Sequence, residues 1–113
     1  MDRITTYRLI LKEVLKRQAE IMDQSAQPDI TTELTFDEER DHYLLLRHGW
    51  TRQGRLFVPT IYARLENGKI WIENDWTEEG LATGLLEHGV PAEDVVLAFH
   101  PPEMRTHTEF AVA

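Results

Sequence analysis

Asp75, Glu78 and Glu79 lie beside Trp71 and Trp76 in the stretch GKIWIENDWTEEGLATGLLEHGV, residues 68–90. Clustered carboxylates could do general acid–base work if two of them met in one pocket with their pKa values driven apart. Nothing in this spacing demands that, and a simpler need accounts for it. An apolar strand ends here and a helix begins. Asp75 followed three residues later by Glu78 has the spacing of a capping box, and Thr77 is an alternative cap. Glu78 and Glu79 are then expected in the first helical turn, where their charge complements unsatisfied backbone amides. Leu81, Leu85 and Leu86 supply a buried stripe, and Gly89 ends the helix. Each acid thus has a local structural job, and no catalytic residue is assigned.

The same test applies to the five histidines. His42 and His48 are six apart on an expected strand and share a face, but a metal site would need a third ligand that the spacing does not supply. His88 falls at a helix C-terminus, a favourable place for its cation. His100 and His107 flank PPEMRT, where Pro101 and Pro102 are expected to open a short helical turn. The chain contains no glycine-rich phosphate loop, no G-x-S-x-G elbow and no cysteine. Neither a cofactor nor a metal is assigned, and the chain reads as a non-enzyme.

Composition narrows the partners. The formal charge of −8 repels phosphate, so direct binding of nucleic acid is not expected. Arg8, Lys12 and Lys16 recur at helical spacing and read as a solvated helix face. No apolar run approaches the ~20 residues of a membrane span, and MDRITTYR lacks the apolar core of a secretory signal. With no cysteine to oxidise, a cytoplasmic location is the expectation.

The elements that must position these residues are legible from periodicity. A length of 113 residues fits one domain, 1–113. Ile4, Tyr7, Leu11, Val14 and Ile21, widened by Leu15 and Met22, mark a one-sided helix over 4–22 that Thr5 or Asp2 can cap. DQSAQPD stops it, because Pro28 has no backbone donor and restricts Gln27. ITTELTF, HYLLLRHGW, RLFVPTIYARLE and KIWIEN follow as strands, the second apolar enough to be covered on both faces. Pro59 cannot serve a central strand, so a bulge or a locally unpaired stretch is expected there. Pro91 starts a tight turn, Val95–Phe99 form a short strand, and the apolar ending EFAVA should be docked. The fold class is α+β: a long N-terminal helix, a four-stranded mainly antiparallel meander, then a helix, a short strand and a short C-terminal helical turn.

Asn67-Gly68 joins the last two meander strands, since a type I′ turn needs positive φ at both positions. A two-residue loop sets Glu66 against Lys69, Leu65 against Ile70, Arg64 against Trp71, Ala63 against Ile72 and Tyr62 against Glu73. One face is then apolar: Ile61, Ala63, Leu65, Ile70 and Ile72. The other is mixed and carries Tyr62, Arg64 and Trp71, the candidate partner-binding residues, because aromatics and arginine dominate interface energetics. The competing expectation is that a helix of the same chain covers them.

ERDHYL at 39–44, Gly49-Trp50, NGKIWI at 67–72, TEEGLA at 77–82, Gly89-Val90-Pro91, VLAF at 96–99 and PEMRTHTEFA at 102–111 together resemble the cyanobacterial XisI family over essentially the full chain. The resemblance implies a small α+β protein that controls excision of the fdxN DNA element during heterocyst differentiation, beside a site-specific recombinase and an XisH protein. It implies no catalytic residues. The expected function is therefore regulatory, through protein–protein binding to an XisH-like partner. The alternative is an inhibitor, or antitoxin-like neutraliser, of a nuclease-like partner, with acidic surface standing in for phosphates. A homo-oligomer is a further expectation for a small domain with spare aromatic surface.

Overall fold

The computed structural model describes residues 2–24 and 27–113. Helix α1 spans Arg3–Asp23, followed by strands β1 (Ile30–Asp37), β2 (His42–Thr51), β3 (Gly54–Glu66) and β4 (Lys69–Asp75). Helix α2 (Leu81–Glu87), a 3₁₀ turn (Ala92–Asp94), β5 (Val95–Leu97) and α3 (Pro102–Arg105) complete the chain. The architecture is α+β as expected. The strand count differs: the short strand lies beside β4 and runs parallel to it, making one five-stranded sheet in the order β1-β2-β3-β4-β5. A parallel partner needs a crossover, and α2 provides it.

Asp2 caps α1, its Oδ1 accepting the Thr5 amide at 2.8 Å. Tyr7, Leu11, Val14, Leu15 and Ala19 are buried as a stripe on one side. Ile21, expected in that stripe, is exposed, and Gln18 is buried in its stead. The buried seam therefore follows positions 14, 15, 18 and 19 rather than running on to 21. Ser25 and Ala26, within the expected stop DQSAQPD, lie outside the described residues.

All the covering helices pack on one sheet face. Leu11, Leu15, Leu81 and Leu85 meet Tyr43, Leu45, Ile61, Ala63, Ile70 and Ile72, and each of these is fully buried. Burial of a leucine side chain of this kind contributes roughly 1.5–3 kcal/mol. Because only one face is covered, Leu44 and Leu46 of β2 are half-buried, and the expectation that this strand is enclosed on both faces is corrected. At Pro59 the expected irregularity is present. Leu45 pairs with Ile61 but Leu46 with Pro59, leaving Thr60 as the extra residue of a bulge.

Charged ties fix α1 to the sheet. Arg8 donates from Nε and Nη2 to the two carboxylate oxygens of Asp41 at 2.7 and 3.0 Å, and the Tyr43 hydroxyl donates to Asp41 at 2.9 Å. The Arg8 hydrogen bond, aided by that of Tyr43, holds the Asp41 carboxyl below its usual range. So part of the expected solvated basic face is spent on the fold: Arg8 on Asp41, and Lys12 on Glu38 at 2.8 Å.

The C-terminal residues are docked. Ala111 bridges to Val96 in parallel, Phe110 packs on the core, and Arg105 donates to the carbonyls of His100 and Val112 at 2.9 and 3.0 Å. Among the described residues, no helix is long and apolar enough to cross a membrane.

Candidate interaction face around Trp71

The β3–β4 hairpin positions the candidate residues. Asn67 and Gly68 adopt φ of 52° and 76°, as the type I′ reading requires, and the pairs Glu66–Lys69, Leu65–Ile70, Arg64–Trp71 and Ala63–Ile72 form as expected. The next pair does not. Tyr62 stands opposite Asn74, and Glu73 is an extra residue in β4. The slip places Glu73 within reach of Arg64, whose Nε donates to it at 2.7 Å. Asn74 is meanwhile brought to the bulge of β3, where its side-chain amide donates to the Pro59 carbonyl at 2.5 Å. The carbonyl freed by one irregularity is satisfied through the other.

On the face away from the helices, Arg64 lies over the Trp71 ring at 4.9 Å and also contacts Glu66 at 2.8 Å. The Glu66 hydrogen bond, followed by that of Glu73, raises the Arg64 pKa, so this guanidinium stays charged. Arg105 of α3 brings a second guanidinium to within 5.8 Å of the same ring. The Trp71 indole N–H donates to the Glu66 carbonyl at 3.2 Å. An indole with its N–H occupied, held beside two cations, is a rigid half-buried platform. What covers Trp71 is therefore the arginine of the last helical turn, and α1 and α2 pack on the opposite face.

Tyr62 completes the row differently. Its hydroxyl meets His42 Nδ1 at 2.7 Å and the rings stack at 5.9 Å, so His42 is engaged by Tyr62. His48 contacts Glu33 at 3.2 Å, and His88 Nδ1 meets the Gly84 carbonyl at 2.9 Å. Three candidates, Tyr62, Arg64 and Trp71, thus share one open face.

The acidic stretch brings one correction. Helix α2 begins at Leu81, later than the capping-box reading places it, so Glu78 and Glu79 precede the helix and are exposed. Asp75 caps from further upstream. Its Oδ2 accepts the Leu81 amide at 2.6 Å, while Oδ1 accepts the Thr77 amide and hydroxyl at 2.9 and 2.6 Å. Thr77 relays the motif by accepting the Gly80 amide at 3.1 Å. Gly80 has φ of 86°, a left-handed step that delays the helix, and its TEEG context is where that delay is encoded. The helix ends as expected: Gly89 donates to Leu86 and Val90 to Leu85, a Schellman arrangement with Val90 buried against the core.

Trp50, Phe57 and Trp76 are more exposed than the three candidates, at 63%, 65% and 73%. The register carries the signal for two of them. With β2 and β3 joined by a short turn, His48 faces Phe57 and Trp50 faces Arg55. Strict alternation then puts all four on the uncovered side.

Comparison with known proteins fits this architecture. The family model described as XisI protein matches residues 1–112. A crystal structure of a XisI-like protein from Anabaena variabilis is 32% identical, with a TM-score of 0.88 over 97% of this chain and 99% of that one. A second, of the fdxN element excision controlling factor XisI from Anabaena variabilis, is 38% identical, with a TM-score of 0.85 over 99% of this chain and 100% of that one. No curated protein matches. A match over nearly the whole length, joined to the same fold at over 30% identity, means that the chain belongs to the XisI family.

Proposed function

We propose that the chain is a non-enzymatic, cytoplasmic regulatory protein that controls excision of a DNA element of the fdxN type by binding another protein. Its partner is an XisH-like protein, and the machinery it governs is a site-specific recombinase acting during heterocyst differentiation. The observation that carries the binding role is the Trp71 platform: an indole flanked by Arg64 and by Arg105 of α3, on the sheet face opposite α1 and α2. Such a rigid aromatic–arginine cluster suits a protein interface, because its side chains are ordered before the partner arrives. The charge of −8 supports a protein partner over direct contact with DNA.

Co-purification from a host that encodes an XisH-like protein tests this. Recovery of that protein with the wild type, and its loss with a folded Trp71→Ala variant, is the expected result. Equal recovery with both removes this face from the interaction.

The exposed Glu78 and Glu79, which form no ion pair among the described residues, favour a second reading. In it the chain silences a nuclease-like partner by presenting carboxylates where phosphates would bind. A complex whose nuclease activity is suppressed supports inhibition. Undiminished nuclease activity supports the regulatory role.

A further inference from the structure

Strand β3 is paired on both sides only over its C-terminal half. β4 runs opposite Ile61–Glu66, and beyond Asp75 the chain leaves the sheet with the Trp76 amide on the Thr60 carbonyl at 2.9 Å. From Gly54 to Pro59 the strand is laddered to β2 alone. The Pro59 carbonyl, which accepts Asn74 Nδ2, points toward the β4 side. Antiparallel alternation turns the peptide groups of Phe57 and Arg55 the same way, into solvent. This is an unpaired strand edge, a template for another strand.

Its composition selects the occupant. The outer edge of β1 presents Glu33 and Asp37, and that of β5 is bridged by Ala111. The stretch Gly54–Thr60 contains no carboxylate and a single charge, Arg55, in a chain of net charge −8. Two copies of so acidic a chain approach at least electrostatic cost where carboxylates are missing. On the open face beside this edge stand Phe57 and Trp50, with the Arg55 guanidinium 5.6 Å from the Trp50 ring centroid.

We infer that two copies of this chain pair antiparallel through this edge, about a two-fold axis passing at Leu56. In that register Arg55 lies opposite the partner's Phe57, and Phe57 opposite the partner's Arg55. Each such pair exchanges main-chain hydrogen bonds through the peptide groups that face outward. On the open face each guanidinium meets an aromatic ring and not its own copy, which makes the edge complementary to itself. Pro59 and the bulge at Thr60 end the available edge on one side, and the turn Arg52-Gln53 ends it on the other. The pairing is isologous and closes at two copies. Where the partner's turn arrives stands Trp76, the most exposed aromatic ring of the chain.

Light scattering across a concentration series tests the inference, with a mass rising to twice 13.2 kDa expected. Phe57→Pro removes an outward N–H without touching the ladder to β2, and is expected to give the single-chain mass with wild-type circular dichroism. A second variant does not depend on disrupting anything. The chain has no cysteine, so Leu56→Cys introduces one thiol on the axis, facing its copy in a non-hydrogen-bonded pair about 4.5 Å apart at Cα. Mild oxidation should link Leu56→Cys chains at least tenfold faster than Val58→Cys chains, whose thiols lie off the axis. A single-chain mass at every concentration overturns the inference, as does equal linking of the two variants or a dimer that persists in Phe57→Pro. The edge is separate from the Trp71 platform. A monomeric result therefore leaves the XisH-like partner standing, and loss of that partner with Trp71→Ala leaves the dimer standing.

Discussion

The hydroxyl of Tyr7, in the second turn of α1, donates a hydrogen bond to the Asp94 carboxylate, 87 residues later in the 3₁₀ turn before β5. Both residues are buried, and Arg3 approaches the same carboxylate at 3.7 Å. This contact joins the first helix to the strand that closes the sheet.

Tyr7→Phe keeps the ring in the core and strips a buried acceptor of its donor, so a loss of about 1–3 kcal/mol is expected. Urea unfolding of the variant measures it. A matching loss in Asp94→Ala, with little added in the double variant, would assign the cost to this pair.

Alkaline pH should act through the same tyrosine. Burial first, and then the hydrogen bond to Asp94, push the Tyr7 pKa up to about 12; burial likewise raises that of Tyr43. Because the folded state holds these protons more tightly than the unfolded state, their contribution is complete below about pH 10 and is lost as pH rises through the folded values. Thermal unfolding followed from neutral to strongly alkaline pH should show this decline, and Tyr7→Phe should show less of it.

Asp75 is expected to matter for stability and its acidic neighbours hardly at all. Asp75→Ala removes the acceptor for the Leu81 and Thr77 amides and should cost about 1–2 kcal/mol, in the range of a lost helix cap. Glu78→Gln and Glu79→Gln, at exposed positions before the helix, should each stay within about 0.5 kcal/mol of the wild type. Thermal unfolding of the three variants side by side distinguishes this from a shared role.

Gly84 predicts a reversal of helix propensity. Alanine in a helix interior is ordinarily favoured over glycine by about 1 kcal/mol. Here an added Cβ would stand 2.7 Å from Cγ1 of Val14, a stiff β-branched side chain buried where α2 crosses α1. Gly84→Ala should therefore destabilise by about 1–2 kcal/mol through overpacking. In a Val14→Ala background the same change should be neutral or stabilising, a sign difference that a double-variant unfolding cycle reads directly.

Much of the fold was legible because its signals are local. The stripe from Tyr7 to Leu15, the positive-φ demand of Asn67-Gly68, the interruption at Pro59 and the helix stop at Gly89 each act over a few residues. Such features depend on period and backbone sterics, which the order of side chains carries by itself. The mixed face with Tyr62, Arg64 and Trp71 followed from the same alternation.

Tertiary structure decided the rest. The slip that moves Tyr62 from Glu73 to Asn74 exists because the Pro59 carbonyl needs a donor and Asn74 can reach it, a demand that arises between strands. The start of α2 at Leu81 depends on an Asp75 carboxylate folding back over six residues, which cap statistics for neighbouring positions do not encode. Whether Trp71 is covered was likewise undecided by its own strand, since Arg105 reaches it from 34 residues further along the chain. Local order determines which face a side chain takes; what stands against that face is set by segments distant in sequence, through packing and hydrogen-bond demands that exist only once the chain has closed on itself.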